Sequence, residues 1–121
     1  MASVKYNYAE MIWYEIKEAA EGDRVALLPV ATYEDHGPHL PVDVDVVLTT
    51  EICRRAAARI PDEVVLVPPV GHGYSPHHMD FHGTITIRWD TFINYVKDVC
   101  CSLAYHGFKK IILLKKILTY F

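Results

Sequence analysis

The chain has 121 residues, enough for one small domain and too few for two. Hydrophobic residues make up 51% and charged residues 22%, a globular balance, and the net charge of −3 arises without any basic stripe or acidic tail, against nucleic acid or anionic membrane as partners. The start, MASVKYNYAEMIWYEIKEAAEG, has no apolar core behind a basic region and so does not read as a secretory signal, and no apolar run approaches the ~20 residues of a membrane span.

Residues 8–20 (YAEMIWYEIKEAA) have helical spacing, with Met11, Ile12, Tyr14, Ile16 and Ala19 in an apolar stripe and Gly22 as the stop. Residues 24–30 (RVALLPV) are almost wholly apolar, the pattern of a strand buried on both faces of a parallel sheet. The following ATYEDHGPHLPVDVD is loop, and residues 46–59 return to helical spacing before Pro61. Residues 64–68 (VVLVP) read as a second buried strand, and PPVGHGYSPHHMDFHG as a second loop. Residues 84–87 (TITI) alternate like a short strand. Asp90 is placed to cap a helix over roughly 91–105, with Phe92, Val96, Val99, Leu103 and Ala104 on one face and Gly107 as the left-handed residue after it. Residues 111–114 (IILL) form a last buried strand.

This order is α/β, and the right-handed crossover rule turns it into a mostly parallel sheet with helices on both faces, three layers in all. Ligands in such sheets bind beyond the carboxyl ends of the strands. Both histidine-bearing loops begin there, one after Val30 and one after Pro68, so the two can converge on one site.

The first loop holds four carboxylates (Glu34, Asp35, Asp43, Asp45) and two imidazoles (His36, His39) within twelve positions. This mix of N and O donors suits Zn²⁺, Mn²⁺ or a similar divalent ion. Glu34 and His36 alternate along an extended segment, either to face one ion or to flank two. Asp45 lies near the start of the next helix, where the dipole favours a carboxylate able to bridge metals. The bland alternative is an ordinary polar loop with Asp45 as a helix cap. In the second loop, Tyr74, Ser75 and His78 are placed to position a polar substrate, and its glycines admit close approach of backbone to a ligand. Ser75 as a nucleophile lacks the G-x-S-x-G frame. His77 and His78 are equally readable as packing groups at the loop base. Cys53, Cys100 and Cys101 make no disulfide framework and no C-x-x-C, which fits reduced thiols and a cytoplasmic protein.

These loops resemble the creatininase (creatinine amidohydrolase) family. The resemblance lies in residues 26–41 (ALLPVATYEDHGPHLP), Asp45, residues 73–78 (GYSPHH), residues 81–85 (FHGTI) and residues 103–114 (LAYHGFKKIILL), and it covers roughly residues 10–114. It implies a metal-dependent hydrolase of a cyclic amide or other C–N bond in a small molecule, often a homohexamer. Deformylases, peptide-trimming enzymes and a cyclic-ketone hydrolase are similar, so the substrate does not carry over. It implies that Glu34, His36 and Asp45 bind a two-metal centre of Zn or Mn, with Asp45 bridging. A metal-activated water would attack a carbonyl polarised by the second ion, with His39, Ser75 and His78 serving substrate and ligands.

After Leu114 the family pattern departs. Lys115, Lys116 and Ile117 stand where an Asn-Gly-His motif with a further metal ligand is expected. Residues 1–121 are therefore expected to be one partial, truncated creatininase-like domain, inactive alone until that motif and the later half are supplied. Two further readings compete: a non-catalytic α/β module associating through its apolar tail Ile117–Phe121, and a protein that binds metal without turnover.

Overall fold

The computed structural model describes residues 4–115, so the calls on Lys116, Ile117 and the rest of the tail lie outside the described residues. The central strand, β1 (Val25–Val30), pairs in parallel with β2 (Val64–Leu66) on one side and β3 (Ile111–Lys115) on the other, giving the order β2-β1-β3. The register sets Ala26 opposite Val65 and Ile111, and Leu27 opposite Leu66 and Ile112.

Side-chain alternation along the strands separates two cores, which is why the apolar runs are continuous. Ala26, Leu28 and Val30, with Val65 and Val67, face Ala19, Ala20, Leu103 and Phe108. Leu27, Val64 and Leu66 face Cys53 and Ala57. Helices α1 (Trp13–Glu21) and α3 (Trp89–Tyr105) thus cover one face of the sheet and α2 (Val44–Arg59) the other, the expected three layers.

Pro29 marks where β1 and β2 part. The Val67 N–H donates to Leu27 O at 2.9 Å, and the next rung would need an N–H that Pro29 lacks. The chain steps outward through Pro68 and Pro69, and contact resumes when the Val70 N–H donates to Pro29 O at 2.9 Å. The second loop is launched from here.

Helix α2 rests on the sheet along one narrow ridge, since its buried residues Asp45, Thr49, Cys53 and Ala57 recur every fourth position. Small side chains along that ridge let the helix lie close, and its first buried member is a carboxylate. Asp45 is the second residue of the helix, as the sequence led one to expect.

Three local expectations fail. The helix read over 8–20 is broken: Asn7 Oδ1 accepts from the Ala9 N–H in a short 3₁₀ turn, Met11 and Ile12 are extended, and α1 starts at Trp13 with Glu15 accepting from the Ile12 N–H at 3.0 Å. Side-chain capping of the backbone outcompetes helix continuation there. The helix does stop at Gly22, as expected, and the left-handed residue after it is Asp23 (φ 59°). Asp90 does not cap α3; the extended Arg88 does, leaving Asp90 in the first turn and Ala104 exposed, with Cys100 packed on the core instead. Residues 84–87 form isolated bridges to two different loops rather than a strand.

Gly107 behaves as expected, at φ 102°. The Phe108 N–H donates to Leu103 O and the Gly107 N–H to Ala104 O, with Leu103 and Phe108 both buried, a Schellman end to α3.

Candidate metal centre

Glu34, His36 and Asp45 come together at the carboxyl end of the sheet, one donor atom from each lying within 4.8 Å of the other two. The loop after β1 carries the first two and α2 carries the third. Glu34 and Asp45 are buried, at 5% and 3% exposure.

His36 is oriented from behind. Its Nδ1 lies 3.1 Å from the Glu34 carbonyl oxygen, so a proton on Nδ1 is donated there and the Nε2 lone pair points the other way. Among the described residues that Nε2 has no hydrogen-bond partner, and it sits 3.3 Å from Asp45 Oδ1. A backbone carbonyl fixing the imidazole tautomer is the usual support for a ligating histidine. A lone pair facing a carboxylate oxygen repels it unless a cation lies between them. The residues present therefore fit a divalent ion.

The two loops are clasped by hydroxyls. Thr32 Oγ1 and Ser75 Oγ are 2.9 Å apart, Thr86 Oγ1 accepts from the Ser75 N–H at 2.8 Å, and Thr84 Oγ1 accepts from the Asp35 N–H at 3.1 Å. Residues 84–87 add two backbone ties, Ile85 N–H to Tyr33 O and Ile87 N–H to Gly73 O. The bridges that replaced the expected strand are what hold the loops together.

The second-loop residues divide. Ser75 is 1% exposed and bonded within the clasp, away from solvent. His78 reaches the centre, with Nε2 3.8 Å from Glu34 Oε2. His39 is exposed and stands outside the donor sets, its ring 3.3 Å from where a Cβ on Gly37 (φ 81°) would lie. His77, readable in sequence only as an even choice between packing and function, joins Glu34 and His78 in another set of donors within 4.8 Å. Nearby, Thr49 lines an apolar groove of about 200 Å³ with Leu48, Ile52, Leu114 and Lys115.

The family model for creatininase, creatinine amidohydrolase, matches residues 9–116. The chain belongs to the creatininase family. It is 36% identical over 112 residues to the creatinine amidohydrolase of Pseudomonas putida, covering 87% of this chain and 42% of that protein. A 3-dehydro-scyllo-inosose hydrolase of Thermotoga maritima is 31% identical over 108 residues, covering 88% of this chain and 34% of that one. A solved creatininase superposes with a TM-score of 0.85 at 34% identity, covering 93% of this chain and 45% of its own. Two more, described as a creatininase variant of Zn-Zn type and as creatininase Mn, superpose at 0.84 with 34% and 33% identity, each covering over 90% of this chain and 45% of their own. The chain spans less than half the length of these relatives. No described helix is long and apolar enough to cross a membrane.

Proposed function

We propose that this chain supplies metal ligands to a hydrolase that cleaves an amide or other C–N bond, open or cyclic, in a small molecule. The observation that carries this is the convergence of buried Glu34, His36 and Asp45 where a parallel sheet presents its ligands. Zn²⁺ or Mn²⁺ fits this donor set. A bound ion would polarise the substrate carbonyl and make water nucleophilic near neutral pH.

The protein's own groups do the rest. Asp45 sits in the first turn of α2, whose dipole favours its ionised form. The Glu34 carbonyl holds the His36 ring in place. His78 and His39 are the groups for holding or moving a proton on the substrate, His78 from beside Glu34 and His39 from the rim. Ser75 acts through the clasp as a positioning residue. A module working by association alone has no use for two buried carboxylates and an oriented imidazole, so that reading is not adopted.

We extend the proposal to one partial creatininase-like domain over residues 1–121, a homo-oligomer, hexameric as the resemblance implies, and a cytoplasmic setting that suits the free Cys53, Cys100 and Cys101.

The test is elemental analysis of the purified protein beside a Glu34→Ala variant. Close to one or two equivalents of Zn or Mn in the wild type, lost in the variant, is the expected result. Equal metal content in the two proteins, or none in either, refutes the assignment.

A further inference from the structure

The three described strands leave two outer edges, and the chain treats them differently. β3 has no buried residue, and its Ile112 and Leu113 are 52% and 47% exposed. β2 also lies at an edge, yet all three of its residues are buried. Residues 5–8 make the difference. We propose that they form a releasable clip, latched by Arg24, that closes the outer edge of β2, and that opening it frees this edge to pair with β2 of a second copy of the chain. The proposal rests on the fold alone and stands or falls apart from the metal reading.

The clip wraps the edge instead of extending the sheet. The Leu66 N–H donates to the Tyr6 carbonyl oxygen at 2.6 Å, beside a lone parallel bridge between Asn7 and Leu66. Asn7 Oδ1 then accepts from the Ala9 N–H at 3.3 Å, which turns the chain. Tyr6 therefore packs on the core under α2, and Tyr8 on the opposite core under α1 and α3. In a straight strand, residues two apart would share a face. One ring on each side of the sheet holds the segment across the edge.

The latch is a single side chain. Arg24 Nη2 donates to the Lys5 carbonyl at 2.7 Å, to the Val64 carbonyl at 2.9 Å and to the Pro61 carbonyl, joining the clip to the strand and to the turn before it. Lys5 adds an ion pair with Glu15 at 3.1 Å, too exposed to hold the segment alone. The latch carries its own cost. Arg24 Nε is buried and has no hydrogen-bond partner among the described residues, so an opening that admits water recovers part of what closure loses.

Opening leaves a pairing template. The Leu66 N–H and the Val64 carbonyl point out from the same edge and lose their partners together. A second copy presents the same two groups. Antiparallel pairing about a two-fold axis through Val65 sets the Leu66 N–H of each copy against the Val64 carbonyl of the other. Asp62 and Glu63 stand at one end of β2 only, so the same axis keeps the carboxylates of the two copies apart.

The experiment follows Arg24→Gln in the full chain by amide hydrogen exchange and by sedimentation at several protein concentrations. Wild type and Arg24→Lys, which keeps a cation able to donate to carbonyls, run beside it. Exchange over residues 64–66 should quicken roughly 10–100-fold, the worth of hydrogen bonds to a charged group, while Leu28 in β1 stays protected. Sedimentation should show association beyond that of wild type, rising with concentration, and Arg24→Lys should revert both changes. Asn7→Ala loosens the turn without touching the latch; it should give the same pattern more weakly, and it supplies the reading if Arg24→Gln does not fold. Unchanged exchange over 64–66 in the folded variants overturns the clip. Exchange that rises evenly through the sheet makes Arg24 a general support and overturns it as well. Local opening without added association overturns the pairing with a second copy, and the proposal with it.

Discussion

Replacing Ser75 by Ala separates a positioning hydroxyl from a nucleophile. Among the described residues the Ser75 side chain makes one bond, 2.9 Å to Thr32 Oγ1, while its backbone N–H bond to Thr86 is untouched by the change. Losing that bond costs about 1 kcal/mol net, and up to ~3 kcal/mol if the Thr32 hydroxyl is left wholly unpaired. Thr32 is only half-buried, so water can reach it and the cost should lie near the lower end, about 1–2 kcal/mol. For a chain of this size that is a fall in Tm of roughly 4–8 °C. Urea unfolding should show a lower midpoint with unchanged slope, metal at saturation should be retained, and a fluorophosphonate serine probe should label neither protein. A nucleophile would behave otherwise: its removal costs on the order of 10⁶ in turnover with little change in stability. Labelling of wild type by the probe, or an unaltered midpoint in the variant, would refute the clasp.

Two further outcomes follow from local geometry. Gly37→Ala places a side chain at φ 81° and brings its Cβ to 3.3 Å from the His39 ring, so stability should fall by about 1–2 kcal/mol in urea unfolding. Burial pushes the Cys53 thiol up to about 11. A disulfide reagent at pH 8 should therefore modify the exposed Cys101 and spare Cys53 until the protein unfolds. The sign of the linkage is also set. The unfolded thiol loses its proton near its ordinary value of 9.0 and the folded one only near 11, so this contribution to stability is complete below pH 9 and is lost as pH rises toward 11. Stability that stays flat across that window would refute the burial argument.

The layers were legible because buried parallel strands write themselves as unbroken apolar runs. Val25–Val30 and Val64–Leu66 carry that mark and are buried as expected, whereas the strand over 111–114, expected to be buried, lies at the edge of the three described strands with no residue buried and Ile112 and Leu113 52% and 47% exposed. The convergence of the two loops followed from the same reading, since β1 and β2 are parallel neighbours whose carboxyl ends lie side by side. What sequence hid was decided by single hydrogen bonds. Asn7 and Glu15 cap backbone groups and split the first helix, though the apolar spacing runs straight through. Residues 84–87 alternate as a strand should, but their N–H groups are taken by Tyr33 and Gly73 in separate loops, so no ladder forms. His77 could not be told from a packing residue, because its place beside Glu34 depends on the Thr32–Ser75 contact, made across 43 residues of chain.

The same devices that build the centre also make it expensive, and this links stability to function. Glu34 and Asp45 are carboxylates at 5% and 3% exposure, and among the described residues His36 Nε2 has no hydrogen-bond partner. Burying such groups works against folding unless something neutralises them. The small residues Thr49, Cys53 and Ala57 keep α2 close on the sheet and so hold Asp45 where it is. The hydroxyl clasp does the same for the second loop, so neither carboxylate can swing out to water without unpacking part of a core. A metal that binds only the folded chain returns this cost as stability by mass action. On the proposed metal reading, rigid elements preorganise the ligands, and the cost of burying them falls on the metal-free protein.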